Sequence, residues 1–277
     1  MPLPTFGLSR VTTLGRLLIA VSLLGPSVGL AAEEPNTALS KVCKTGANKP
    51  VADPRIHLAI EEAWRQNKLF GGQTISRDGA LVSVGYHEAE YDHGKEQKTP
   101  TWKRVEGFWS ALGSGLPLTF RSPDDPGVSR KRLFEQLASH TDSNGGPKLS
   151  EKQITAVQTS FLRSALVDHP WSAAFISFLM STAKFTDTEF EFSESHVDYV
   201  EKAVLSSSAE SEGGSTGYAF RACDPTTTKP RSGDLLCYTR DDKSATRTYV
   251  ALLDDLARRR AKVEPGAYRM HCNLIVS

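Results

Sequence analysis

The sequence predicts an α+β fold in which helices come first and a central helix packs on a short antiparallel sheet. Three observations predict it. Apolar residues recur at helical spacing over 55–69, 101–112 and 169–185. Two apolar, β-rich runs, 235–239 and 268–276, come late in the chain. Each carries one cysteine, Cys237 and Cys272, so the runs can be bridged if they are neighbours, leaving Cys43 and Cys223.

Residues 1–32 have the three-part pattern of a secretory signal peptide. Arg10 and Arg16 precede an apolar run over 17–24, and the small-residue end falls at Gly29, Ala31 and Ala32. The run is too short to span a bilayer, so no stable membrane span is expected after cleavage. Export to the periplasm or beyond permits disulfides, and four cysteines allow three connectivities. None has the paired spacing of a zinc site. With 33 basic and 32 acidic residues and no basic block, nucleic acid is excluded as a natural partner. No cofactor is called for.

Residues 33–54 are polar and read as an extended lead-in to one domain over 55–277. The first helix, 55–69, places Ile56, Leu58, Ala59, Ala63 and Trp64 at helical spacing, and Phe70-Gly71-Gly72 ends it. Residues 80–84 read as a short strand. A second helix over 101–112 carries Trp102, Val105, Phe108 and Trp109. Residues 113–127 read as a loop, 129–139 as a short helix and 140–147 as a loop. Ser150 to Gln153 has the capping-box pattern and opens a helix with Ile154, Val157, Phe161 and Leu162. The central helix over 169–185 shows one buried stripe: Trp171, Ala174, Phe175, Phe178 and Leu179. Asp168 reads as its cap, with Pro170 and Ser172 in its first turn.

Ser193 opens a further helix with His196, Tyr199, Val200 and Ala203 on one side. Residues 205–217, rich in Ser, Gly and Glu, read as a mobile loop, and 218–222 as a strand entry. Residues 230–234 form a turn into the strand over 235–239. A helix over 248–262 exposes Arg258, Arg259 and Arg260; 265–266 is a turn, and 268–276 the final strand.

Ser172 therefore stands in a first turn, where free backbone N–H groups and the helix dipole favour an anion. The PWSAAFISF segment, the PRSGDLLC strand and the MHCNLIV strand occur in the order of a papain-like site. They resemble the corresponding segments of NlpC and CHAP cell-wall hydrolases, which carry cysteine where this chain has Ser172. The serine form, with the AIEEAW, WKRVEGFW and SHVDYV segments, more closely resembles the bacterial domain of unknown function 2272, over roughly 55 to the C-terminus.

The resemblance implies a papain-like fold and an exported amidase or peptidase acting on peptidoglycan peptides. Ser172 would be the nucleophile and His271 its base. A serine cannot be held ionised as a thiolate can, so it must lose its proton during attack. The group that orients the histidine commonly comes from the next strand in such folds. The sequence ends at Ser277, so either it is truncated or His196 or Asp234 takes that role. Trp171 and Arg240 are the candidate substrate-binding residues. Five of these six residues have a structural alternative: Ser172 as a polar first-turn residue, His271 as a half-buried strand residue, His196 as a packed helix residue, Asp234 as a turn cap and Arg240 as a solvated cation. The alternative function is a non-catalytic envelope glycan- or peptide-binding module on the same fold.

Two patterns carry no chemistry. GPSVG, a G-x-S-x-G match, lies in the leader with no strand before it. His87, Glu90, Asp92 and His93 have no recognised ligand spacing and read as a solvated loop rather than a metal site.

Overall fold

A computed structural model describes Cys43 and residues 53–78, 80–86, 99–113, 150–240, 248–261 and 268–276. The leader over 1–32, the helix expected over 129–139, the turn at 265–266 and the His87–His93 cluster lie outside the described residues.

The described residues form an α+β fold with six α-helices and two small antiparallel sheets. In chain order these are α1 (Arg55–Leu69), β1 (Thr74–Ile75), β2 (Leu81–Ser83), α2 (Thr101–Phe108), α3 (Glu151–Asp168), α4 (Ser172–Thr182), α5 (His196–Ser211), β3 (Leu235–Thr239), α6 (Tyr249–Arg260) and β4 (Met270–Leu274). A 3₁₀ turn, Trp109–Ala111, extends α2. Among the described residues no helix is long and apolar enough to cross a membrane.

Helix α4 is the centre. Ala173, Ala174, Ile176, Ser177, Leu179 and Met180 are all buried. One side meets Ile56 and Ala59 of α1, and Cys272 of β4 joins the same cluster. The other side meets Trp102, Val105, Phe108 and Trp109, with Leu166 of α3. The expected stripe is only in part the buried one: Ala174 and Leu179 are buried, whereas Trp171, Phe175 and Phe178 are half-buried and Ala173, Ile176, Ser177 and Met180 are buried as well, because neighbours cover the helix on more than one side.

The helix also starts later than expected. Asp168 ends α3 and His169 is its C-cap, so Asp168 does not cap α4. Trp171 is the N-cap and Pro170 lies outside the helix, where its ring fixes the chain between two helices. The capping pattern at Ser150 does form, its N–H donating to Gln153 Oε1 at 2.8 Å.

Four other expectations are corrected. Leu58 and Trp64 lie on the exposed side of α1, whose buried face is Ile56, Ala59 and Ile60. Helix α5 runs on through Ser211, so 205–211 is not a loop. Its serines are small enough to bury, and Ser207 Oγ accepts from the Ala222 N–H at 2.9 Å. Residues 218–222 form no strand. Arg259 is not a free face either: it bridges to Asp198 at 3.1 Å and Glu201 at 2.5 Å on α5.

The pair β3–β4 is antiparallel, with Cys237 directly opposite Cys272 and Tyr238 opposite His271. Cys237–Cys272 and Cys43–Cys223 are both disulfides. The sheet's buried face, Leu235, Cys237, Cys272 and Leu274, packs toward α4. Strand entry depends on Gly233. Its φ is +93°, its N–H donates to the Ile275 carbonyl at 2.7 Å, and an added Cβ would sit 2.7 Å from Ile56 Cγ1.

Gly233→Ala should therefore destabilise the protein by about 1–3 kcal/mol, from left-handed backbone strain and a clash with α1. Urea unfolding followed by circular dichroism measures it, and an unchanged midpoint would refute this account of the turn.

Candidate active site around Ser172

Ser172 is the first residue of α4. The N–H groups of a helix's first turn have no intrahelical partner, so the end of α4 that carries Ser172 is electropositive. Helix α5 begins at His196, and its start is fixed to α4 by a reciprocal pair of bonds. Ser177 Oγ donates to the Ser193 carbonyl at 2.9 Å and accepts from the Ser193 N–H at 3.1 Å. Ser193 Oγ then donates to Asp198 at 2.6 Å and accepts from the Ser195 N–H at 3.0 Å, shaping the entry to α5.

That geometry puts His196 Nε2 2.7 Å from Ser172 Oγ. The histidine on the serine is therefore His196, which the sequence had offered as an orienting residue, and not His271. His271 stands edge-on to His196, ring centres 4.9 Å apart, and its ring centre lies 5.6 Å from that of Tyr238. Its Nε2 lies 3.1 Å from Asn273 Oδ1, and its buried Nδ1 has no hydrogen-bond partner among the described residues.

The group on His196 Nδ1 is the Tyr199 hydroxyl, one helical turn along α5. Sequence reasoning placed Tyr199 on the right face of this helix but gave it no role. The signal available was the i, i+3 spacing of His196 and Tyr199. Burial pushes the Tyr199 phenol well above its usual range, so it keeps its proton. Tyr218 does not bond this hydroxyl; its own donates to the Tyr199 carbonyl at 3.1 Å. The buried phenol must donate, and Nδ1 is its acceptor. This inventory assigns the resting His196 as the Nε2–H form, which donates to Ser172 Oγ.

Burial, then the charges of His271 and Arg240, push His196 down to about 4. His271 is also lowered, by burial and then Arg240, against a smaller opposing effect of its bond to Asn273. Both imidazoles are thus neutral near pH 7.

The remaining candidates fall elsewhere. Asp234 accepts from the Arg231 N–H at 2.8 Å, the turn-capping arrangement, and has no described bond to either histidine. Trp171 packs into an aromatic cluster with Phe70 and Phe108, at centroid distances of 5.9 and 5.7 Å. Arg240 is exposed just past the end of β3.

The model of a family described as an uncharacterized protein conserved in bacteria, DUF2272, matches residues 129–277. Every candidate site residue lies in that span, whereas α1 and α2, expected to share the resemblance, lie outside it. No curated protein and no solved structure matches the chain.

The lowered His196 has a consequence for stability. Between pH 6.5 and about 4 the unfolded chain binds a proton there that the folded chain refuses, so stability falls as pH drops through that window. His271 acts in the same direction. Urea midpoints at pH 7.5, 6.0 and 5.0 should fall in wild type and fall less steeply in His196→Gln, in a range where carboxylates are still ionised. Parallel slopes would contradict a buried neutral His196.

Proposed function

The chain belongs to the bacterial family DUF2272, and on that premise we propose that it is an exported cell-envelope hydrolase that cleaves amide or ester bonds by acyl transfer through Ser172. The observation that carries this reading is the 2.7 Å contact between Ser172 Oγ and His196 Nε2 at the start of a helix. Peptidoglycan peptides are the substrates implied by the resemblance to NlpC and CHAP hydrolases, as is the papain-like character of the fold. The two disulfides fit an oxidising compartment such as the periplasm.

In this mechanism Ser172 Oγ attacks the substrate carbonyl as its proton passes to His196 Nε2. The free N–H groups at the start of α4 hold the oxyanion. His196 then gives the proton to the leaving amine or alcohol. Water, deprotonated by the same imidazole, releases the acyl group. Accepting a proton at Nε2 requires the other tautomer, with Nδ1–H facing Tyr199. That leaves the buried phenol proton without an acceptor, at a cost of about 1–3 kcal/mol.

This cost favours a second reading, a binding module that uses the same site without turnover. No carboxylate is bonded to His196 among the described residues to offset the charge that catalysis would place on it.

A fluorophosphonate probe separates the two readings. As a hydrolase, wild type is labelled, Ser172→Ala is not, and His196→Ala is labelled about 100-fold more slowly or worse. His271→Ala should slow labelling less than His196→Ala. A folded wild type that takes no label would overturn the nucleophile assignment and leave the binding module.

A further inference from the structure

The β3–β4 ladder continues one rung beyond its last assigned pair. The Arg240 N–H donates to the Arg269 carbonyl at 2.9 Å. The register that sets Tyr238 opposite His271 therefore sets Arg240 opposite Arg269, on the same sheet face as those two rings. Both arginines are exposed, and neither has an ion-pair partner among the described residues. The nearby arginines of α6 are different: Arg259 and Arg260 pair with Asp198 and Glu201. Asp241 and Asp242 follow in sequence but lie outside the described residues.

Like charges directly opposite each other destabilise an antiparallel pair. Two guanidinium groups on one rung, without an ion-pair partner among the described residues, thus work against the sheet, and an anion between them would remove the repulsion. Two residues of strand rise place this rung about 7 Å from the Tyr238–His271 rung, whose histidine stands 4.9 Å, ring centre to ring centre, from His196, the residue on Ser172. Each guanidinium fork matches the geometry of a carboxylate.

We propose that Arg240 and Arg269 form an anion-holding subsite beside Ser172 that selects substrates bearing a free carboxylate near the bond attacked. Its role in substrate choice rests on the acyl-transfer reading; its capacity to bind does not. Arg240 also contributes to lowering both imidazoles, so a carboxylate bound there relieves part of that field and makes His196 a better proton acceptor once substrate is seated.

The test uses the Ser172→Ala protein, which cannot turn substrate over. N-acetylglycine is titrated while the ring C–H resonances of His196 and His271 are followed by NMR. Saturable shifts are expected, absent with neutral N-acetylglycinamide. Affinity should weaken at least tenfold in an otherwise folded Arg240→Gln/Arg269→Gln variant. An equal response to the neutral amide, no response to either compound, unchanged affinity in the double variant, or tighter binding of methyl phosphate would each overturn the proposal. Fluorophosphonate labelling of wild type decides the serine reading separately, so failure of one is not failure of the other.

Discussion

Six of the eleven residues of helix α4 are buried and none is fully exposed, and the other described elements are placed by that fact. Such a helix must be covered on more than one side. Helix α1 and the β3–β4 sheet cover part of it, and the aromatic cluster of α2 covers the rest. The one polar side chain deep in this helix, Ser177, is wholly buried and spends its hydroxyl on Ser193. A buried hydroxyl without partners would be costly, so this pair of bonds fixes where α5 can begin. The 2.7 Å contact between Ser172 and His196 follows from it.

Packing thus determines the site more than local sequence does. The apolar cluster of Val197, Val204, Leu256 and Met270 holds α5 against β4 and α6. That contact brings His196 and His271, 75 positions apart, into edge-on ring contact. The arrangement also excludes water from His196, which is why its imidazole is neutral and its nitrogens are committed to Ser172 and Tyr199.

The sequence was legible where a pattern was local. The first helix over 55–69 and the strand over 235–239 formed with the bounds expected, and so did the cysteine pairing that follows from neighbouring strands. Local signals failed where burial overrode them. Periodicity cannot reveal one face of a helix that has no exposed face, which misplaced the stripe and start of α4. Serine-rich composition at 205–211 suggested a loop, but Ser206 and Ser207 are buried with hydroxyl partners. Ser172 was singled out correctly as a helix-start residue. Choosing between His196 and His271 as its neighbour needed the relative placement of α5 and β4, which no spacing encodes.

The two disulfides close circuits that follow one another along the chain without overlapping: Cys43 to Cys223, then Cys237 to Cys272. Ser172, His196 and Tyr199 all belong to the first circuit, and Arg240, Arg269 and His271 to the second. The two circuits share no residue, so each cross-link constrains a different stretch of chain. The residues that would make and break bonds and those that would grip a charged substrate are thus held in separate covalent rings. A substitution in the shorter ring leaves the covalent frame around Ser172 and His196 untouched.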